Sequence, residues 1–165
     1  MSQAPLFSTT CARAVVLTPE AGEQLSVIGG DMRVLIDGES SGGYCCVFDC
    51  TIPSGDGPPL HMHEREDEHF FVLEGRFKFS IDGSEFFGEP GAFACAPRGS
   101  VHAFRNAGST PGRLHITCTP SGLEDAFRAV RIPEPGSGEP EKSPEEFAAE
   151  FGKFGITFMG PPLAL

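Results

Sequence analysis

The sequence has no tryptophan and one tyrosine, against fifteen phenylalanines. An interior built from it is aromatic but poor in rings that carry a polar handle. It also lacks basic clusters: 12 Lys and Arg stand against 23 Asp and Glu, a formal net charge of -11. Nucleic acids and anionic membranes are bound through a basic face, so neither is an expected partner. No apolar run approaches membrane-spanning length, and the first residues carry no basic stretch ahead of an apolar one, which makes a cytoplasmic protein the expectation. Six cysteines (Cys11, Cys45, Cys46, Cys50, Cys95 and Cys118) contain no CxxC pair and no zinc-ribbon spacing. Buried free thiols are the simpler reading, and Cys46 and Cys50, about 13 Å apart on a strand, cannot pair with each other.

What is present is glycine and proline, 21 and 15 of them, spread in short clusters between apolar runs. That pattern describes many short strands joined by tight turns, an all-β domain, and 165 residues suffice for one core without disulfides. Ala14–Leu17, Leu25–Ile28 and Met32–Ile36 read as framework strands, followed by Tyr44–Ile52 with Cys46, Phe48, Cys50 and Ile52 on the buried face. His69–Leu73 is apolar on both faces. Phe77–Ile81 alternates, and Asp82-Gly83 signals a hairpin back through Glu85–Phe87. Ala92–Ala96, Val101–Arg105 and Leu114–Thr119 complete the strands, so residues 1–120 form the β-domain. A tail over 121–165 holds an amphipathic helix, Leu123–Val130, and a linker-like stretch over 132–144. Ser143, Pro144 and Glu146 then match an N-cap, a first-turn proline and a capping-box acid. Phe147, Phe151 and Phe154 give that second helix one apolar stripe, and Gly155 and Gly160–Pro162 end it.

Chemistry concentrates in Pro53–Gly75, PSGDGPPLHMHEREDEHFFVLEG. His61 and His63, two apart on an extended segment, point to one face, and Glu68 on the next strand is placed to face the same point. Imidazoles with a carboxylate suit a divalent transition metal such as Fe, Mn, Ni, Cu, Co or Zn. His69 and His115 read as exposed or hydrogen-bonded bystanders. Glu64, Glu66 and Asp67 read as solvated turn acids, with orientation of a ligand histidine as the alternative. Arg65, Arg98 and Arg105 read as surface charges, with an acidic substrate as the alternative. Phe70, Phe77, Phe79, Phe93 and Phe104 are most simply core.

Two linked patterns carry a resemblance. Gly55, His61, His63, Glu68 and Gly75 follow a glycine, five residues, HxH, four residues, Glu, six residues, Gly; Gly91, Pro97, Gly99, His102 and Asn106 follow a glycine, five residues, PxG, two residues, His, three residues, Asn. Together they resemble the two motifs of the cupin superfamily with no departure, over about a third of the chain. The resemblance implies a double-stranded β-helix of the jelly-roll type, a β-barrel with short C-terminal helices. It also implies that His61, His63, Glu68 and His102 hold one divalent metal, with Glu68 the candidate to serve also as general base. HxHxREDExFFVLEG at His61–Gly75 and the ending GITFMGPPL look most like small single-domain cupins grouped with quercetin dioxygenases. The expectation is a metal-dependent dioxygenase acting with O2 on a small aromatic or enolic substrate, in a homodimer. A non-redox isomerase or lyase, and a small-molecule-binding cupin without turnover, are the alternatives.

Overall fold

The computed structural model describes residues 14–27, 29–133 and 136–165. Its elements follow in chain order as β1 (Glu23–Val27), β2 (Gly30–Ile36), α1 (Gly38–Ser41), β3 (Cys46–Ile52), β4 (Pro59–His63), β5 (Asp67–Glu74) and β6 (Phe77–Ile81). Then come β7 (Ser84–Gly88), β8 (Phe93–Ala96), β9 (Val101–Asn106), β10 (Gly112–Thr119), α2 (Leu123–Val130), α3 (Pro144–Lys153) and β11 (Ile156–Pro162). The strands form two sheets, ordered β1-β2-β3-β10-β5-β8 and β11-β4-β9-β6-β7, and every pairing between neighbours is antiparallel. This is the expected all-β jelly roll.

Side-chain alternation explains how the two sheets share one core. In β3, Cys46, Phe48, Cys50 and Ile52 are buried; in β10 the buried positions are Gly112, Leu114, Ile116 and Cys118. The register sets these residues opposite one another, Cys46 with Cys118, Phe48 with Ile116 and Cys50 with Leu114, and β5 extends the rows with Glu68, Phe70 and Val72. From the other sheet, Phe104 and Phe79 meet Phe70, with ring centroids 5.5 and 5.6 Å from it, and Phe77 packs behind both. Asp82 and Gly83, with φ of 48° and 78°, make the tight turn that returns β6 into β7. Gly57 is required for a different reason: a Cβ there would lie 2.1 Å from the carbonyl oxygen of Phe104.

Several expectations are corrected. Residues 14–17 form no strand, and Val16 is 95% exposed; an apolar run with no neighbouring strand to pair with does not become one. Ile28 and Cys11 lie outside the described residues. Phe93 is 63% exposed because it occupies the outward face of the edge strand β8, where it stacks on His69. Cys95 on the same face is exposed, whereas Cys46, Cys50 and Cys118 are buried free thiols. The barrel is not closed, because both sheets end in edge strands, β1 and β8 in one, β11 and β7 in the other.

The C-terminal helix begins as its sequence indicates. The Ser143 hydroxyl accepts from the Glu146 N–H while the Glu146 carboxylate accepts from the Ser143 N–H. The segment expected only to terminate that helix is instead strand β11, which pairs with β4 through Ile156 opposite His63 and Phe158 opposite His61. Its prolines are tolerated because β11 is an edge strand. No helix among the described residues is long and apolar enough to cross a membrane.

Candidate metal centre and its cavity

His61 and His63 alternate inward along β4, and His61 sits in register with His102 on β9. Glu68, at the start of β5, reaches toward them from the opposite sheet. The four side chains are buried, and one ligand atom from each lies within 4.8 Å of all the others. The expected residues are thus brought together on three strands from two sheets.

The hydrogen bonds orient this group. His61 Nδ1 lies 2.8 Å from the carbonyl oxygen of Pro59, His102 Nδ1 lies 3.1 Å from that of Ser100, and His63 Nδ1 lies 3.4 Å from Glu66 Oε2. Each Nδ1 therefore faces an acceptor, which turns each Nε2 inward. The three Nε2 atoms surround a single oxygen, Glu68 Oε2, at 2.9 Å for His102, 3.5 Å for His63 and 4.0 Å for His61. Three converging imidazole nitrogens and a carboxylate oxygen fit a divalent transition-metal ion.

Electrostatics agree with that geometry. Burial pushes the Glu68 carboxyl up, but the hydrogen bond from His102 and the three imidazoles outweigh it and hold the group at about 2. Burial is also the largest influence on His102, and lowers it, yet the Glu68 hydrogen bond and charge raise its pKa above the ordinary 6.5. Both His102 ring nitrogens face oxygen acceptors, Nδ1 the Ser100 carbonyl and Nε2 the Glu68 carboxylate. His61 goes the other way, to about 3, through burial first and the neighbouring His102 charge second. The inward Cys50 thiol is pushed up by burial and by Glu68, so it is no thiolate nucleophile.

The surroundings change three readings. Glu66, expected among the solvated turn acids, is 2% exposed and sits against His63, which realises the alternative of an orienting carboxylate. Asp67 and Arg98 are paired: the Arg98 backbone N–H, Nε and Nη2 all donate to the Asp67 carboxylate at 2.8–3.0 Å, and the side-chain bond holds Asp67 at about 2. This pair ties the strand bearing Glu68 to the Pro97–Gly99 turn ahead of His102. Arg105 is half-buried and donates through Nη1 to the Leu163 carbonyl. His69 and His115 alternate away from the cluster on the outer face.

A cavity of about 570 Å³ opens onto His61, His63 and Glu68. Its walls include Met32, Ile52, Phe104, Phe147 and Phe158; the charged groups lining it are Asp31, Asp56 and Glu68, with no lysine or arginine among the described residues. The chain's tail, expected to dock either over the site or against a second copy, supplies one side of the cavity.

A two-sheet antiparallel jelly roll with three histidines and one glutamate converging inside it defines a class, and residues 48–118 match the family model of the cupin domain. The chain belongs to the cupin superfamily. It is 30% identical over 125 residues to the quercetin 2,3-dioxygenase of Bacillus subtilis, in an alignment that takes in 74% of this chain and 37% of that protein. It is 25% identical over 129 residues to the polyketide synthase CurC of Streptomyces cyaneus, covering 69% of this chain and 84% of that one. KdgF from Halomonas sp. shares the fold with a TM-score of 0.60 at 17% identity, over 68% of this chain and 99% of that one.

Proposed function

We propose that this chain is a metal-dependent dioxygenase acting on a small aromatic or enolic substrate. The observation that carries the reading is the cavity: it is apolar, opens directly onto the histidine–glutamate cluster, and has only acidic charges in its lining. Sugar phosphates, uronates and small dicarboxylates need basic or densely polar walls. An uncharged ring needs neither. The likeness to a quercetin dioxygenase points the same way, although this chain spans 37% of that protein.

A divalent ion held by His61, His63, Glu68 and His102 would supply Lewis acidity and electron transfer toward O2. The protein's own groups do the rest. Glu68 lines the cavity beside the imidazoles, so its carboxylate is placed to take the hydroxyl proton of an entering phenol or enol. Pro59, Ser100 and Glu66 keep the three imidazoles in one orientation. The phenylalanine walls keep water from the reacting ring.

The test is O2 consumption by metal-replete protein against a panel of phenols and enols. Uptake in proportion to substrate lost is expected, and its abolition in His61→Ala together with the bound metal. The Glu68 carboxylate facing the cavity favours one second reading, a non-redox isomerase or lyase. Turnover that persists without O2 on zinc would establish that reading and overturn the oxygenase.

A further inference from the structure

Phe147, Phe151 and Phe158 come from the last part of the chain, yet they do not share one environment. Phe151 is 5% exposed and is the anchor of α3: its ring packs edge-on against Phe127 of α2 at 5.6 Å, and Phe127 in turn meets Phe48 of the core at 5.6 Å. Phe147 and Phe158 are only partly buried and face the cavity. Their rings lie nearly parallel, 24° apart with centroids 6.0 Å from each other. Phe158 is also opposite His61 in the β11–β4 register, with its ring centroid 6.3 Å from the His61 imidazole. An aromatic surface thus runs from the metal-ligand histidine outward along one side of the cavity.

We propose that Phe147 and Phe158 are the specificity-determining residues of this site, a stacking wall, supplied by α3 and β11, that recognises the flat ring of the substrate. The proposal rests on the ring-substrate reading above and adds which residues select the ring. Three observations support a recognition surface over a plain core contact. Both rings are partly exposed within the cavity, while Phe151, which also lines it and packs against both, is buried and anchors α3 on Phe127. The wall meets the candidate metal centre directly at His61, so a ring lying along it brings its edge to the cluster. The acidic groups lining the cavity disfavour an anionic ligand, which leaves apolar contact and stacking as the attraction on offer.

The experiment uses the full chain loaded with zinc, so that binding is read without turnover. Two probes are titrated by calorimetry: 2,3-dihydroxynaphthalene, a planar diol, and acetohydroxamate, a chelator with no ring. The variants are Phe147→Leu and Phe158→Leu, which keep apolar bulk and remove the ring, checked for unchanged zinc content and melting temperature. The naphthalene diol should bind roughly 3- to 10-fold more weakly to each variant, the loss of one aromatic contact, with acetohydroxamate unchanged. Wild-type protein that fails to bind the diol, leucine variants that bind it within about twofold of wild type, or equal loss of both probes would overturn the wall. These outcomes are separate from the oxygenase reading, because a protein that consumes no O2 can still pass the binding test. Zinc content reports independently on the metal centre.

Discussion

Asn106, the last residue of the second sequence pattern, offers a sharp test of how the site is held. Its side chain is fully buried and makes three hydrogen bonds: Nδ2 donates to the carbonyls of Ile52 and Thr110, and Oδ1 accepts from the Gly108 N–H, each at 2.9 Å. Its backbone adds two more to the connection before β4, accepting from Gly55 and donating to Asp56. The residue therefore clamps the β3–β4 and β9–β10 connections together, and the first of these delivers His61. Asn106→Ala leaves two carbonyls and one N–H without side-chain partners. At about 1–3 kcal/mol for each unsatisfied buried group, partly relieved by relaxation or water, the loss should be about 3–6 kcal/mol. That is a large part of the about 5–15 kcal/mol by which a domain is stable. Urea unfolding followed by circular dichroism should show a lower midpoint at unchanged slope, and melting should fall by roughly 10–20 °C. Asn106→Asp keeps the acceptor for Gly108 but turns a carboxylate toward two carbonyl oxygens, so it should be at least as damaging. A loss below about 1 kcal/mol in the alanine variant, or an aspartate variant as stable as wild type, would refute the clamp.

Zinc affinity should rise with pH, because the cation must displace the Nε2 proton that Glu68 stabilises on His102. Below the raised pKa the gain should approach about tenfold per pH unit, with calorimetry in several buffers showing a released proton; affinity independent of pH between about 5 and 7 would count against it. Glu66→Gln removes the negative charge at His63 Nδ1 and should speed metal loss to a chelator by about 10- to 100-fold with little change in melting, whereas unchanged release would leave Glu66 without that role. Gly57→Ala places a methyl 2.1 Å from the Phe104 carbonyl oxygen, so little folded protein should be recovered; melting within a few degrees of wild type would show that the connection yields.

Local patterns made much of this legible. Alternation located the inner face of β3, Asp82-Gly83 specified the hairpin, and the capping box set the start of α3. The cluster was legible because strand period and motif spacing both act over short range: HxH faces one way whatever surrounds it. What could not be read depended on partners distant in sequence. β11 carries Gly160, Pro161 and Pro162, residues that end regular structure, and only the free edge of β4 makes a strand of them. Glu66 stands in a run of five charged residues, Glu64 to Glu68, that looks solvated, and burial separates it from Glu64 only once His63 lies beside it. Phe93 has the composition of core, but no third layer covers the outer face of β8.

The position of Glu68 explains why these pieces belong together. Among the described residues it is the charged side chain at the buried positions of the six-stranded sheet, in a row otherwise formed by Cys46, Cys118 and Ala96. Such a carboxylate is costly to bury unless positive charge meets it there. The three Nε2 atoms that surround Oε2 can provide this in one of two ways: a proton on His102, as the 2.9 Å hydrogen bond and raised pKa describe, or a cation accepting all four ligand atoms. The protonated arrangement leaves His61, 4.0 Å from Oε2 and driven neutral, with its lone pair unused. A cation would satisfy that nitrogen as well. The site is therefore better matched to a metal ion than to the proton standing in for it, and the same exchange leaves Glu68 beside a cavity with no other base among the histidines facing it.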